Sequence, residues 1–371
     1  MAALRTVRTV RTVKFDFFTR YRTATLCIMD SGNWARLPSE VLELIAPLLH
    51  EHLPVARFAC KYWASELPHG TVHIRVTGAG PPNWGTRLFS GVRELFWYNP
   101  QILHCAPWRS LRTLALLNAS DTDAALRLLF DASPPLHYLD VHNTNVTDAG
   151  LVGASPSLTH VNLNSCIGIT DAALASLGHV ETLLLGSCNG LDGSGLGQLR
   201  SVTSLTVSSP QISNWEGLAT IAGLTSLNAI GASRAGLRSL GQNLASFSSL
   251  AELKLGGLPL NVLVELQHAP SLRTLSLSYI QVWDASISNL RNLETLIMIA
   301  CDYVVIEGLA PLTNLRFMSL RQCTGVDDDG LLHLASLPSM LSLTIQPRCD
   351  GISDDVVALV RQVHPELRLN V

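Results

Sequence analysis

Leucine and its apolar relatives return along most of this chain at a fixed step, and that step limits the possible folds more than any other feature. An apolar-x-x-apolar-x-apolar run opens at Leu136 and reopens at Leu158, Val180, Val202 and Leu224, each 22 residues on. Further starts fall at Val92, Leu111, Leu250, Leu272, Leu293, Leu315 and Met340, with a remnant at Leu367 to Leu369. Chance spacing does not persist through about a dozen units. A unit this short cannot bury its own apolar face, so the units must stack and share one continuous core. The longer steps, 224 to 250 and 315 to 340, predict insertions in outer or edge loops.

Leu158 to Leu177, LTHVNLNSCIGITDAALASL, shows what one unit contains. Leu158, Val161 and Leu163 form the apolar run, Cys166 follows, and Ile169-Thr170-Asp171 opens a short segment whose Leu174 and Leu177 face inward. This resembles the leucine-rich repeat of the cysteine-containing kind. The resemblance implies an α/β solenoid over residues 92–371, with a curved parallel sheet inside and helices outside. Burying each repeat leucine is worth about 1.5 to 3 kcal/mol, so stacking supplies the stability. Val146-Thr147-Asp148, Ile169-Thr170-Asp171, Val326-Asp327-Asp328 and Ile352-Ser353-Asp354 invite a metal-site reading, above all at Asp327 to Asp329. Their place just before Gly-Leu or Ala-Leu instead marks the N-caps of the outer helices, where a short polar side chain accepts backbone N–H bonds.

Composition narrows the function classes. A formal charge of −3 argues against a general nucleic-acid binder, which needs excess Lys and Arg against phosphates. No apolar run approaches the roughly 18 residues that span a bilayer, so no membrane role is expected. None of the eight cysteines forms a C-x-x-C pair. Cys166, Cys188, Cys301 and Cys323 occupy one column of the repeat, which fits buried reduced thiols better than disulfides or metal ligands.

The chain before the array divides into three parts. Residues 1–30 form a basic leader with Arg5, Arg8, Arg11, Lys14, Arg20 and Arg22 against Asp16; it reads as disordered or as a mitochondrial transit peptide. Residues 34–66, WARLPSEVLELIAPLLHEHLPVARFACKYWASE, carry apolar positions at helical spacing from Val41 to Leu49, then Pro54 and a second helix with Phe58 and Trp63. Residues 67–91 are a junction in which Thr71 to Val76 alternates like a strand before the turn-rich GAGPPNW.

Leu37-Pro38-x-Glu40, then Ile45 and Leu49, then Cys60-Lys61-x-Trp63 resembles the F-box, the helical module that docks a Skp-type adaptor in cullin ubiquitin ligases. The resemblance implies adaptor contacts at Leu37, Pro38, Ile45, Leu49, Leu53, Cys60 and Trp63. The alternative is a helical cap that seals the open end of the solenoid.

Side chains alternate along a strand, so residues between the buried leucines should face the concave side. That rule gives Tyr138, Asp140, His142, His160, Asn162 and Asn164 as a contiguous polar patch. It continues to Thr182, Leu184, Ser204, Thr206, Glu252, Lys254, Thr274, Ser276, Phe317, Ser319, Arg321, Ser342 and Thr344. Catalysis has no foothold, for G-x-S-x-G, H-E-x-x-H and Walker patterns are missing and the twelve histidines lack ligand spacing. The chain reads as a non-enzyme without metal or cofactor. It is expected to be the substrate-recognition subunit of an SCF-type ligase, cytoplasmic or nuclear, with a Skp-type adaptor, the cullin core and a protein substrate as partners. The alternative is a non-catalytic interaction scaffold or assembly factor in mitochondria.

Overall fold

A computed structural model describes residues 13–19, 22–28, 72–77, 92–98, 110–117, 119, 121–257, 265–279, 285–301, 306–347 and 349–371. The helical module expected at residues 34–66, with its proposed adaptor contacts, lies outside these residues. The chain divides into two compact units, Met1–Ile169 and Thr170–Val371.

In the first unit, strands β1 (Val13–Thr19) and β2 (Arg22–Ile28) pair antiparallel, with Val13 opposite Ile28. Lys14 of β1 also pairs with Thr77 of β3 (Val72–Thr77). Both strands lie within the basic segment of residues 1–30. Val13, Phe15, Phe17, Phe18 and Thr19 favour extended chain over helix, because branched and aromatic residues suit a pleated surface. β3 has the strand character expected for Thr71 to Val76 and runs parallel to β4 (Val92–Tyr98). The parallel order then continues through β5 (Thr113–Leu117), β6 (Tyr138–Asp140) and β7 (His160–Asn162), one strand per repeat.

The second unit repeats this plan. Its strands are β8 (Thr182–Leu184), β9 (Ser204–Thr206), β10 (Ser226–Ala229), β11 (Glu252–Gly256), β12 (Thr274–Ser278), β13 (Thr295–Ile299), β14 (Phe317–Arg321), β15 (Ser342–Gln346) and β16 (Arg368–Asn370). Each pairs parallel with the next, without bulges. A leucine or its equivalent lies opposite its counterpart across the register, as at Leu227, Leu253 and Leu275, all fully buried. That register follows from the repeat, since a one-residue slip would turn every core residue outward.

The outer layer is shorter than the expected helices. α-Helices occur at α1 (Thr122–Asp131), α2 (Asp148–Leu151), α3 (Arg234–Asn243), α4 (Asp328–Ala335) and α5 (Asp354–Val363). Elsewhere the return is a short 3₁₀ segment, as at Asp171–Leu177, Leu196–Gln198, Glu216–Thr220 and Leu266–His268. A 22-residue unit leaves few residues for the return, and the 3₁₀ form covers more distance per residue than an α-helix.

The N-caps stand where the sequence places them. The side chains of Thr147, Thr170, Asp327 and Ser353 accept from the backbone N–H of Ala149, Ala172, Gly330 and Val356 at 3.3, 3.3, 2.9 and 3.3 Å. Cys166, Cys188, Cys301 and Cys323 are buried free thiols. Their column extends to half-buried Cys349, whose thiol donates to the Cys323 carbonyl at 3.2 Å. Directly after the strands runs a second column with positive φ, at Asn143, Ser165, Ser187, Gly231, Gly257, Tyr279, Ala300 and Gln322.

Candidate functional site

Alternation along β6 and β7 determines which side chains meet a partner. Leu139 and Val161 are buried, at 0% and 2% exposure, so their neighbours Tyr138, Asp140, His160 and Asn162 lie on the open face of the sheet. Tyr138 is opposite His160, and Asp140 opposite Asn162. The Tyr138 and His160 rings stack with centroids 6.4 Å apart and planes 29° apart. The Thr159 hydroxyl holds the His160 ring through Nδ1 at 2.9 Å. Tyr138 remains exposed. Its phenol is raised above the ordinary value, first by desolvation and then by the Asp140 carboxylate beside it, both of which disfavour phenolate.

Asp140 and Asn162 also serve the backbone. Asp140 Oδ1 accepts from the His142 N–H at 3.1 Å and lies 2.7 Å from His142 Nδ1. Asn162 Oδ1 accepts from the Asn164 N–H at 3.1 Å in the same way, and Asn228 does so for Ile230 at 3.2 Å. These are local side-chain turns that lead each strand into its loop. Thus the structure brings Tyr138, Asp140, His142 and His160 into one connected group, while Asn162 and Asn164 form a parallel turn one strand over.

Phe317 and Arg321 of β14 are exposed on the open face of the second unit. The Arg316 guanidinium lies 5.7 Å from the Phe317 ring centroid, within cation–π range. Glu252 and Lys254 pair at 2.9 Å, and the Ser226 hydroxyl donates to Glu252 at 2.9 Å. The Lys254 hydrogen bond and that of Ser226 hold the Glu252 carboxyl below its ordinary value against partial burial. Ser276, expected on the accessible face, is only 5% exposed, because its small side chain lies in register between the longer Lys254 and Ile297.

The open face of the first unit starts earlier than Tyr138. In register with Tyr138 and Asp140 stand Thr113 and Ala115 of β5, and beyond them Glu94 and Phe96 of β4, although Ala115 is buried at 3% exposure. The same alternation applied to the repeats opening at Val92 and Leu111 finds these residues. Among the described residues, no group of three or more His, Cys, Asp or Glu side chains is placed to hold a metal ion. No helix among them is long and apolar enough to cross a membrane.

The parallel one-strand-per-repeat order and its buried leucine column have counterparts among solved structures. The chain is similar to an internalin, InlF of Listeria monocytogenes, at 18% identity and a TM-score of 0.56, over 77% of this chain and 84% of that one. It is also similar to the structure of the Toll–Spätzle complex of Drosophila at 13% identity and a TM-score of 0.54, over 80% of this chain and 43% of that one. The fold is a leucine-rich-repeat solenoid. No protein-family model matches the chain, and no curated protein matches its sequence. The residues that build a leucine-rich repeat are the buried ones, so at such identities the likeness speaks for the fold, and the open face is this chain's own.

Proposed function

We propose that this chain is a protein-recognition subunit whose leucine-rich repeats hold a protein on the open sheet face, and that it works in an SCF-type cullin ubiquitin ligase. The observation that carries the binding role is the exposed, stacked Tyr138–His160 pair beside Asp140. Aromatic and hydrogen-bonding groups on a rigid sheet suit a protein interface, because little side-chain freedom is lost on contact. The second unit offers a comparable aromatic and cationic group at Phe317 and Arg321. Toll, in the similar structure, is seen in a complex with Spätzle.

The ligase assignment rests on Leu37-Pro38-x-Glu40 and Cys60-Lys61-x-Trp63 standing in front of the array. In this reading Leu37, Pro38, Ile45, Leu49, Leu53, Cys60 and Trp63 dock a Skp-type adaptor, and the protein acts in cytoplasm or nucleus. Tethering raises the effective concentration of substrate lysines near the ligase, so the chemistry belongs to the partners and this chain needs no catalytic residue.

Affinity purification of the intact chain beside a Leu37→Ala, Pro38→Ala double variant tests the assignment. A Skp-type adaptor recovered with the first and not the second supports it. Failure to recover an adaptor with either, or recovery of the chain from mitochondria, moves the function to the interaction scaffold that the basic leader suggests.

A further inference from the structure

We infer that the open face of the second unit holds an extended stretch of the bound protein in which an apolar side chain stands two residues from a carboxylate. The inference rests on the recognition role proposed above and names the kind of segment which that role would select. Two strands in register build the seat. Thr295, Ile297 and Ile299 of β13 stand opposite Phe317, Ser319 and Arg321 of β14.

The apolar part comes from β13, which is apolar on both faces. Leu296 and Met298 fill the core at 0% exposure, whereas Ile297 and Ile299 alternate to the open side and remain half-buried. Folding does not require isoleucine at such a position, since the residues in register with Ile297 on either side are Ser276 and Ser319. Phe317, 44% exposed, lies diagonal to Ile297 and makes the patch continuous across two strands. Contiguous apolar surface left outside a core is where proteins meet one another.

Charge decides the rest of the segment. None of the outward residues of β13, β14, β15 and β16 is acidic, while Arg321 and Arg368 are among them and both are exposed. Arg316 adds a third cation over the Phe317 ring. Glu294, just before β13, is engaged by Arg273 at 3.7 Å, and Glu252 by Lys254 at 2.9 Å. Among the described residues no carboxylate pairs with Arg321, so its guanidinium can take a partner's carboxylate through two parallel N–H bonds. One open arginine balances one carboxylate; a phosphate, with nearly two charges, calls for a cluster of arginines.

The register sets the spacing. Ile297 and Arg321 are diagonal neighbours on adjacent strands, about 8 Å apart. Side chains two residues apart in an extended chain leave on one side, about 6.8 Å from each other. An apolar residue seated on Ile297 therefore delivers a carboxylate two residues away to Arg321.

The test places the intact chain on an array of 12-residue Gly/Ser-rich peptides whose centre is Glu-Gly-Leu-Gly-Glu, so that either chain direction sets an acid two residues from the leucine. This spot should retain the chain. Replacing both glutamates by glutamine, or the leucine by serine, should lower retention about 3- to 10-fold, the range of one partly solvated charged or apolar contact. The order Gly-Glu-Leu-Glu-Gly should lower it as well, because those acids leave on the side opposite the leucine. Arg321 is exposed and tolerates exchange. Arg321→Gln should erase the difference between glutamate and glutamine spots, and Arg321→Glu should move retention to Lys-Gly-Leu-Gly-Lys.

Equal retention on glutamate and glutamine, no retention on any spot, stronger retention with phosphoserine in place of the glutamates, or an Arg321→Gln variant that still tells glutamate from glutamine would overturn the inference. Adaptor recovery and capture of a whole protein are measured without these peptides, so loss of the recognition role and loss of this seat give different results.

Discussion

The Asp123 carboxylate takes both donors of Thr147, the backbone N–H at 2.8 Å and the hydroxyl at 2.6 Å, and so ties the start of α1 to the start of α2 in the next repeat. The device recurs. Asp171 accepts from the backbone of Asp192 and Gly195 at 2.8 and 2.7 Å, and Asp328 from that of Ser353 at 2.6 Å. Acids in the first turn therefore join neighbouring repeats. Hydrogen bonds to a charged group contribute about 1.5 to 3 kcal/mol each, so Asp123→Ala should lower the unfolding free energy by roughly 2 to 4 kcal/mol with Asp123→Asn between. Denaturant midpoints check this, and an alanine variant within about 0.5 kcal/mol of the parent would show the bridge to be idle. Gly150→Ala should also destabilise, because an added Cβ would press into Asp123.

The recognition patch predicts the opposite profile. Tyr138 is exposed, so Tyr138→Ala should change stability by no more than about 0.5 kcal/mol. Capture of a protein partner should fall about tenfold or more on loss of a central tyrosine. Thermal melts run beside the capture assay separate the two readouts. A large drop in melting temperature would make Tyr138 part of the architecture and not of the interface.

The thiol column should protect itself. Burial raises the Cys166 thiol above its ordinary value, outweighing its backbone hydrogen bonds. The Cys323 thiol is also raised, first by its contact with the Cys301 thiol and then by burial. Only thiolate reacts with alkylating reagents, so both are slow in the folded chain. Among Cys166, Cys188, Cys301, Cys323 and Cys349, the half-buried Cys349 should label first under native conditions and all five together in denaturant. Mass spectrometry of timed alkylation reads the order, and early labelling of Cys301 or Cys323 would contradict the packing.

The repeat step, the buried leucines, the caps and the thiol column were legible because each is a one-dimensional pattern whose spacing equals that of the structure. Two kinds of feature were not. Asp123, Asp171 and Asp328 look like ordinary first-turn acids, and nothing local shows that their oxygens reach a backbone 21 to 25 residues away. The second kind concerns access. Ser276 follows the alternation rule yet is shielded by in-register Lys254 and Ile297, and Ala115 is buried at 3% between in-register Phe96 and Asp140. Both depend on neighbours across strands, which a single repeat does not display.

Tyr279 carries the last prediction, because its backbone and its side chain disagree. Its φ is +55°, a left-handed conformation filled by glycine in two neighbouring repeats, Gly231 at +88° and Gly257 at +67°. The conformation is needed, since the Tyr279 N–H donates to the Ile299 carbonyl at 2.9 Å and so extends the ladder one step past β12. A non-glycine residue there costs about 1 to 2 kcal/mol, and a ring that is 72% exposed returns little of it through burial. Glycine removes that cost but adds about 0.5 to 1 kcal/mol of unfolded-chain entropy. Tyr279→Gly should therefore leave the chain as stable as the parent or more stable by up to about 1 kcal/mol, whereas Tyr279→Val, branched at Cβ, should destabilise it. Denaturant midpoints of the two variants settle the matter. A glycine variant less stable by more than about 0.5 kcal/mol would mean that the exposed ring packs on the fold and offsets its own strain.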